Sequence, residues 1–304
     1  MKFSRILALC VACSALTSVA MGRTSKPTTP PDCPKCGEWT LPQEPFKVYG
    51  NTYWVGTRTI GSILITSPKG HILIDGTVQE GASQVAAHIR ALGFRVEDVR
   101  LILNTHVHHD HAGGIAALQK LSGAEVAASP WSARILMQGH DERDDPLFDD
   151  HLRQPTPVKH VRIIKDGETL SVGTLSVVAH FTPGHTPGGT TWTWKSCEDS
   201  RCLNIVYADS ISAVSSDSFH FSHSTTYLDV LKDFAKSFDV MRALPCDILL
   251  TNHPEFSDVM GRLEARNAGH PDAFISPSAC RELADAGSAG LKQRLTREAT
   301  SKHQ

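Results

Sequence analysis

Apolar residues alternate or cluster in short runs along most of the chain, a pattern that predicts both strands and helices. Strands are predicted over 46–55, 61–66, 71–76, 99–104, parts of 161–181, 190–194, 204–208 and 247–250. Helices are predicted over 81–92, 227–244 and 278–297. Runs of strands with helices between them favour sheets covered by helices on their outer faces over a single parallel sheet.

The helix predicted over 227–244 has the clearest amphipathic pattern. Its apolar residues recur at helical spacing and should form a buried face: Leu228, Leu231, Phe234, Phe238 and Met241. A further apolar stretch at 130–149 contains Trp131, Ile135 and Phe148. We interpret it as helix core rather than as the wall of a cleft.

The first residues have the pattern of a signal peptide. Lys2 and Arg5 precede an apolar run at 6–15, and small residues then offer cleavage after Ala20 or Gly22. That run is shorter than the ~20 residues of a membrane-spanning helix, so we expect no membrane anchor. Residues 1–20 are therefore predicted to be the signal, 21–45 an arm with little intrinsic structure, and 46–304 a single domain of an exported, periplasmic protein.

Composition narrows the partners. The chain has 304 residues, of which 40% are hydrophobic and 20% charged, and its formal net charge is −2. These values are those of a globular protein without the basic excess that nucleic-acid binding usually requires. We expect a monomer that acts on a small molecule.

Six cysteines follow the predicted signal: Cys33, Cys36, Cys197, Cys202, Cys246 and Cys280. An even number in an oxidising compartment suggests disulfides, although the sequence permits every pairing among them. The short separation favours Cys197 with Cys202. A Cys246–Cys280 bond would close a loop of ~35 residues and contribute roughly 3–4 kcal/mol. Cys33 and Cys36 lack a second Cys-x-x-Cys pair to complete a zinc ribbon, so a disulfide, local or otherwise, is favoured.

The candidate chemistry centres on the run His106-Val107-His108-His109-Asp110-His111, which follows a predicted strand. Imidazoles with a carboxylate suit zinc. His106 and His108 are two residues apart and face the same side of an extended segment, whereas His109 should point away. Asp110 and His111 lie past the bend and could serve a second ion. The alternative, a surface histidine cluster without metal, is disfavoured by the restrictive HxHxDH pattern.

Two further histidines lie where strands pass into loops. His185 belongs to a stiff loop at 182–189 rich in proline and glycine, and His253 directly follows the apolar strand at 247–250. Either alone would be an ordinary loop histidine. Beside the HxHxDH run they are the expected missing ligands. His220 and His223 are interpreted as extra to the site.

Several segments together carry a family resemblance: HxHxDH, PGHTPGGT at 183–190, Tyr207-Ala208-Asp209-Ser210 and Leu244-Pro245-Cys246-Asp247. With these, residues from about 40 to 295 resemble the metallo-β-lactamase superfamily, and specifically the β-lactamases of subclass B3. The resemblance implies an α+β fold, a four-layer αββα sandwich with the site between its sheets. It also implies that Cys246 pairs with Cys280.

The same resemblance implies two zinc ions. The first would take His106, His108 and His185. The second would take Asp110, His111 and His253. Ser210 stands where other subclasses have a cysteine ligand.

Two aspartates near this site are interpreted separately. Asp209 is expected not to bind metal, although glyoxalase-like and lactonase-like relatives use an aspartate near this point to bridge both metals. Asp75 ends a strand near the site and is a candidate for orienting a ligand histidine.

The implied reaction is hydrolysis of the amide bond of β-lactam antibiotics by a zinc-bound hydroxide, which would confer resistance. Asp110 would orient the nucleophile and later pass a proton. Ser210 and Ser212 would bind the substrate carboxylate, or else satisfy their own loop backbone. The alternatives are an exported zinc lactonase or thioesterase of the same fold, and a non-catalytic zinc-binding protein.

Overall fold

The computed structural model describes residues 33–149 and 153–301. The predicted signal at residues 1–20 lies outside these ranges. So does the arm as far as residue 32. Among the described residues, no helix combines the length and apolar character needed to cross a bilayer.

Twelve strands and eight α-helices make up the regular structure of the described residues. The strands are β1 (Phe46–Tyr49), β2 (Thr52–Trp54), β3 (Ile63–Ile65), β4 (His71–Ile74), β5 (Val99–Leu103), β6 (Glu125–Ala128), β7 (Val161–Ile163), β8 (Thr169–Val172), β9 (Leu175–Phe181), β10 (Thr190–Glu198), β11 (Arg201–Ala208) and β12 (Ile248–Thr251). The helices are α1 (Cys36–Trp39), α2 (Ala82–Ala91), α3 (His109–Ala112), α4 (Ile115–Ser122), α5 (Pro130–Gln138), α6 (Val230–Ala243), α7 (Val259–Asn267) and α8 (Ala279–Ser301).

The strands form two sheets. Strands β1 to β7 lie in chain order in the first sheet, and the second has the order β12-β11-β10-β9-β8. In the first sheet β1 to β4 are antiparallel, while β4, β5, β6 and β7 are parallel. In the second, only β11 and β12 are parallel. The carboxyl ends of the parallel strands therefore gather at common edges, where their loops can meet.

Three apolar clusters separate four layers. The central cluster joins the sheets through side chains such as Trp54, Ile72 and Trp192, all fully buried. The outer face of the first sheet packs on α2, α4 and α5 through residues such as Val85 and Ile115. The second sheet packs on α6 and α8 in the same way. This is the predicted αββα sandwich, since each sheet buries one face on its partner and one on helices.

The sequence predictions differ from the structure at the first strand and at two elements that they missed. The segment predicted as one strand over 46–55 is the hairpin β1–β2, because Gly50 turns the chain with φ of 54°. A Cβ at Gly50 would lie 2.7 Å from the carbonyl oxygen of Cys197, so only glycine fits there. The sequence patterns also did not predict α4 and β6.

The buried face of α6 was predicted wrongly at its start. Phe234, Phe238 and Met241 are buried, but Leu228 is 80% exposed and Leu231 39% exposed. The helix begins only at Val230, which is buried and lies one turn before Phe234. Leu228 therefore precedes the helix and cannot join its face.

Three disulfides cross-link the described residues: Cys33–Cys36, Cys197–Cys202 and Cys246–Cys280. The last two pairings agree with the sequence-based expectation. The first selects the local option for a pair that the sequence left open. The segment expected to have little structure thus holds a disulfide and helix α1 over its described part.

Candidate active site

Loops from both sheets meet at one edge of the sandwich. His106 follows β5, His185 follows β9 and His253 follows β12. His108 directly precedes the short helix α3, which carries Asp110 and His111. The fold therefore brings together all six predicted metal ligands, which are spread over 148 positions of the chain from His106 to His253.

The first group contains His106, His108 and His185, whose ligand atoms lie within 4.8 Å of one another. Nε2 of His106 is buried and has no hydrogen-bond partner among the described residues. The ring centroids of His108 and His185 are 5.0 Å apart, and each lies within 4.9 Å of that of His106. A buried ring nitrogen without a partner, surrounded by other imidazoles, is the arrangement that a cation would satisfy.

The second group contains Asp110, His111 and His253. Nε2 of His111 lies 3.2 Å from Nε2 of His253, and Oδ2 of Asp110 lies 3.3 and 3.4 Å from these two atoms. Two atoms bound to one zinc in tetrahedral geometry are about 3.3 Å apart, given zinc–ligand bonds of ~2.0–2.1 Å. The donor atoms of this group therefore fit one zinc ion.

Hydrogen bonds fix which ring nitrogen faces each cluster. Nδ1 of His106 is 2.7 Å from Oδ1 of Asp209, and both side chains are fully buried. Nε2 of His108 is 3.1 Å from both oxygens of Asp145. Nδ1 of His185 donates to the carbonyl oxygen of Ser212 at 3.0 Å. Each bond occupies one nitrogen and leaves the opposite one to a metal.

Burial is the largest single influence on the pKa of each of these rings. It lowers the pKa of His185 to about 3 and that of His111 to about 4, so both are neutral at neutral pH, as ligands must be. Burial also lowers the pKa of His108, but the carboxylate of Asp145 outweighs it and raises the pKa to about 9. Burial opposes ionisation of Asp110 as well, yet His111 and His253 hold its pKa well below the usual range.

Asp75 does not have its expected role. Among the described residues no histidine donates to its carboxylate. The backbone nitrogen and the hydroxyl of Thr105 donate to it instead, at 2.8 and 2.7 Å, and Nδ2 of Asn104 lies at 3.3 Å. Asp75 therefore fixes the loop just before His106, and the carboxylate on the ring itself belongs to Asp209.

Ser210 and Ser212 lie beside the first cluster, and both make hydrogen bonds to other residues of the protein. The hydroxyl of Ser210 donates to Oδ1 of Asn252 at 3.1 Å. The backbone nitrogen of His253 donates to the same oxygen at 3.0 Å. Asn252 thus connects the loop of Ser210 to the backbone of His253.

A cleft of about 420 Å³ opens over the clusters. It is lined by His108, Asp110 and the two serines, and also by Lys35, Trp39, Leu147, Val214 and Phe256. A ligand with apolar and anionic parts can reach the metal groups from this side. His109 points away from the clusters, as expected, with Nε2 3.1 Å from Sγ of Cys33.

Two residues of the site escaped the sequence analysis. Asp145 lies within the stretch at 130–149 that was interpreted as helix core, although helix α5 ends at Gln138, and no spacing rule connects Asp145 to His108, 37 positions earlier. Asn252 precedes a predicted ligand, but its amide has no motif of its own. An acidic residue in a loop between apolar segments was the only available signal for Asp145.

Comparison with known proteins agrees with this geometry. Residues 56–198 match the family described as the metallo-beta-lactamase superfamily. The structure is similar to that of Rm3 metallo-beta-lactamase, with a TM-score of 0.86 and 50% identity, covering 88% of this chain and all of that one. It is also similar to MEM-A1, a subclass B3 metallo-beta-lactamase from a soil metagenome library. There the TM-score is 0.84 and the identity 46%, over 86% of this chain and 99% of the other.

Curated proteins match over shorter stretches. A probable metallo-hydrolase of Burkholderia pseudomallei is 35% identical over 148 residues, which are 45% of this chain and 48% of that protein. A hydroxyacylglutathione hydrolase of Maricaulis maris is 33% identical over 87 residues, 29% of this chain and 26% of the other. The chain thus spans about half or less of these curated relatives. Fold, paired ligand groups and the full-length structural matches together place the chain in the metallo-β-lactamase superfamily, among the hydrolases of subclass B3.

Proposed function

We propose that the protein is a zinc-dependent β-lactamase that hydrolyses the amide bond of penicillins, cephalosporins and carbapenems. The observation that carries this over a thioesterase is the position of Asp209. Its carboxylate binds Nδ1 of His106, on the opposite side of the ring from the nitrogen that faces the cluster. We take Asp209 to orient this ligand rather than to bridge two metals.

The two groups offer six protein donors for two zinc ions. His106, His108 and His185 would hold one ion, and Asp110, His111 and His253 the other. When bound, zinc lowers the pKa of a coordinated water towards ~7 and polarises a carbonyl oxygen. Asp209, Asp145 and the carbonyl of Ser212 hold the rings of the first group in place.

Asp110 is proposed to act on the proton of the attacking water. Its neighbours His111 and His253 keep it ionised, so it can accept a hydrogen bond from that water and orient it. The same carboxylate borders the cleft and can return a proton to the leaving amide nitrogen. No other carboxylate is needed as a base in this scheme.

The substrate carboxylate is proposed to lie at Ser210 and Ser212, which line the cleft. A carboxylate accepts hydrogen bonds, so it requires the hydroxyl of Ser210 to turn from Asn252 towards the cleft. The apolar residues that line the cleft, such as Trp39, Leu147 and Phe256, would contact the substituents of the β-lactam.

Hydrolysis of a chromogenic cephalosporin by the zinc-loaded protein, with and without a chelator, tests the activity. A hydroxyacyl thioester and an acyl lactone, given to the same preparation, test the rival. We expect chelator-sensitive opening of the β-lactam ring to be the fastest reaction. Faster cleavage of the thioester or lactone, with no ring opening, would refute the proposal.

The rival keeps one specific observation in its favour. The chain is similar in sequence to hydroxyacylglutathione hydrolases and to a carboxyl ACP thioesterase of Aspergillus fumigatus, the last at 24% identity over 70% of this chain. These enzymes are similar over fewer residues or at lower identity than the B3 structures. We therefore treat thioester hydrolysis as the second candidate.

Export and resistance are further parts of the proposal. The pattern of residues 1–20 would direct the chain to the periplasm, where β-lactams act. Expression of the full chain in a susceptible Gram-negative host should raise the inhibitory concentration of a cephalosporin. A chain lacking residues 2–20 should lose that effect while its purified form keeps the activity. Equal protection by both chains would contradict the export prediction.

A further inference from the structure

A separate set of metal-ligating side chains lies where the amino-terminal segment meets the metal motif. Cys33, Cys36 and His109 place their ligand atoms within 4.8 Å of one another. Sγ of Cys33 is 3.1 Å from Nε2 of His109, and Sγ of Cys36 is 3.7 Å from Oε2 of Glu80. The two sulfurs form a disulfide. Because cysteine binds a metal as the thiolate, this disulfide must be reduced before the group can bind an ion.

We propose that reduction of the Cys33–Cys36 disulfide creates a third metal site, which takes a zinc-like divalent cation on two thiolates and the imidazole of His109. Thiolate and imidazole donors together are the set that zinc prefers in proteins. Two thiolates neutralise the charge of the dication. Water supplies the fourth donor, because the nearby carboxylate of Glu80 is ion-paired with Arg153.

The required movements are small. A thiolate and an imidazole nitrogen on one tetrahedral zinc are about 3.5 Å apart, a few tenths of an ångström more than the present distance from Cys33 to His109. The two sulfurs must separate to about 3.7 Å, which rotation about their Cα–Cβ bonds can supply once the covalent bond is open.

This disulfide is suited to reversible reduction. It closes a loop of only a few residues, so it constrains the unfolded chain little, and its half-exposed sulfurs are accessible to a reductant. Cys246 and Cys280 are buried, 7% and 2% exposed, and should resist the same treatment. Cys197 and Cys202 are exposed, but the described residues provide them with no third metal-ligating group, which makes that pair an internal control.

The redox step is a thiol–disulfide exchange with a dithiol. The reductant loses two electrons and two protons as it forms its own disulfide, and Cys33 and Cys36 gain them as thiols. Metal binding then displaces the two thiol protons to solvent.

The position of the site gives it a structural consequence. The edge of Trp39 packs on the ring of His109, with centroids 5.1 Å apart, and Lys35 and Trp39 line the cleft over the zinc groups. The disulfide holds this wall in the oxidised protein. A metal on the same two sulfurs and His109 would hold it in the reduced protein.

Cobalt titration tests the site without any substrate. The full-length protein is stripped of metal, reduced with a dithiol, desalted without oxygen and titrated with Co²⁺. Oxidised protein, the double variant Cys33→Ser/Cys36→Ser and His109→Gln are titrated in parallel, and far-ultraviolet circular dichroism checks that each is folded. Thiolate ligands give Co²⁺ a charge-transfer absorption in the near ultraviolet that histidine and carboxylate ligands do not.

We expect the reduced wild-type protein to bind one more Co²⁺ than the oxidised protein and to show this absorption. The double variant should show neither, and His109→Gln should bind the additional ion at least about tenfold more weakly. The proposal is overturned if the reduced wild-type protein shows no thiolate absorption. It is also overturned if the absorption persists in the double variant, or if His109→Gln leaves the affinity unchanged.

Discussion

Replacement of Asp209 by asparagine should weaken zinc binding while the fold persists. Oδ1 of Asp209 accepts a hydrogen bond from Nδ1 of His106 at 2.7 Å, which places the lone pair of Nε2 towards the first cluster. Asparagine keeps the size of the side chain but removes its charge and adds an NH₂ donor. The ring of His106 then has only a neutral amide oxygen as acceptor in place of the charged carboxylate that raises its basicity.

The magnitude follows from the contact. Loss of a carboxylate behind a ligand histidine typically costs 10- to 100-fold in metal affinity, or roughly 1.4–2.7 kcal/mol. Both side chains here are at most 1% exposed, so water cannot easily compensate for the lost charge. The neighbouring amide nitrogen of Asn252, 3.3 Å from Nδ1, is a donor and cannot replace it either. We therefore expect a loss of about 100-fold.

Competition between the metal-free protein and a chromophoric zinc chelator measures this affinity. Asp239→Asn is the matched control, because Asp239 is an 80% exposed carboxylate on the surface of α6. Asp145→Asn should give a loss nearer tenfold. A folded Asp209→Asn protein whose zinc affinity equals that of the control would refute the argument that this carboxylate positions His106.

Three further outcomes are expected. Glu298→Gln should lower the free energy of unfolding by roughly 1–2 kcal/mol in denaturant titration, because the buried carboxylate accepts two backbone hydrogen bonds and one from an arginine of its own helix. An unchanged midpoint would contradict this. Replacing both Cys246 and Cys280 by serine should cost roughly 3–4 kcal/mol by the same measurement, and a loss below about 1 kcal/mol would contradict the loop-closure argument. The effect of the two buried histidines on stability is measured by comparing the metal-free wild type with a metal-free His111→Gln/His185→Gln variant, which cancels the opposite contribution of Asp75, whose folded pKa burial raises to about 7. As pH falls from about 6.5 to about 4, the wild type should lose more stability than the variant in thermal melting, because His185 and His111 have folded pKa values of about 3 and 4. The unfolded chain takes up their protons first. An equal change of melting temperature in the two proteins over this window, with metal absent, would contradict the burial argument.

Much of the fold was predictable from local patterns. The apolar runs located most strands and three of the helices, since each buries one face and its period shows in the sequence. The predictions failed where tertiary contacts, rather than the spacing of apolar residues, determine the structure. The hairpin at Gly50 depends on the closeness of β10, and the start of α6 depends on where the chain turns towards the sheet. Neither has a signal within its own few residues.

The same distinction applies to the site. Residue types and spacing alone identified His106, His108, Asp110 and His111 as a metal-binding run, and singled out His185 and His253 as strand-end histidines. They also predicted that His109 faces elsewhere, because neighbouring side chains in an extended segment alternate in direction.

Only the tertiary structure decided which carboxylate forms a hydrogen bond with which histidine. Asp75 and Asp209 both end buried strands and look alike in sequence, yet Asp209 reaches the ring of His106 while Asp75 holds the loop before it. Asp145 reaches His108 from a loop that no motif marks. A metal ligand requires a particular residue type, which the sequence records directly. The group that orients the ligand needs only to lie within hydrogen-bond distance, and that distance exists only once the two sheets have packed.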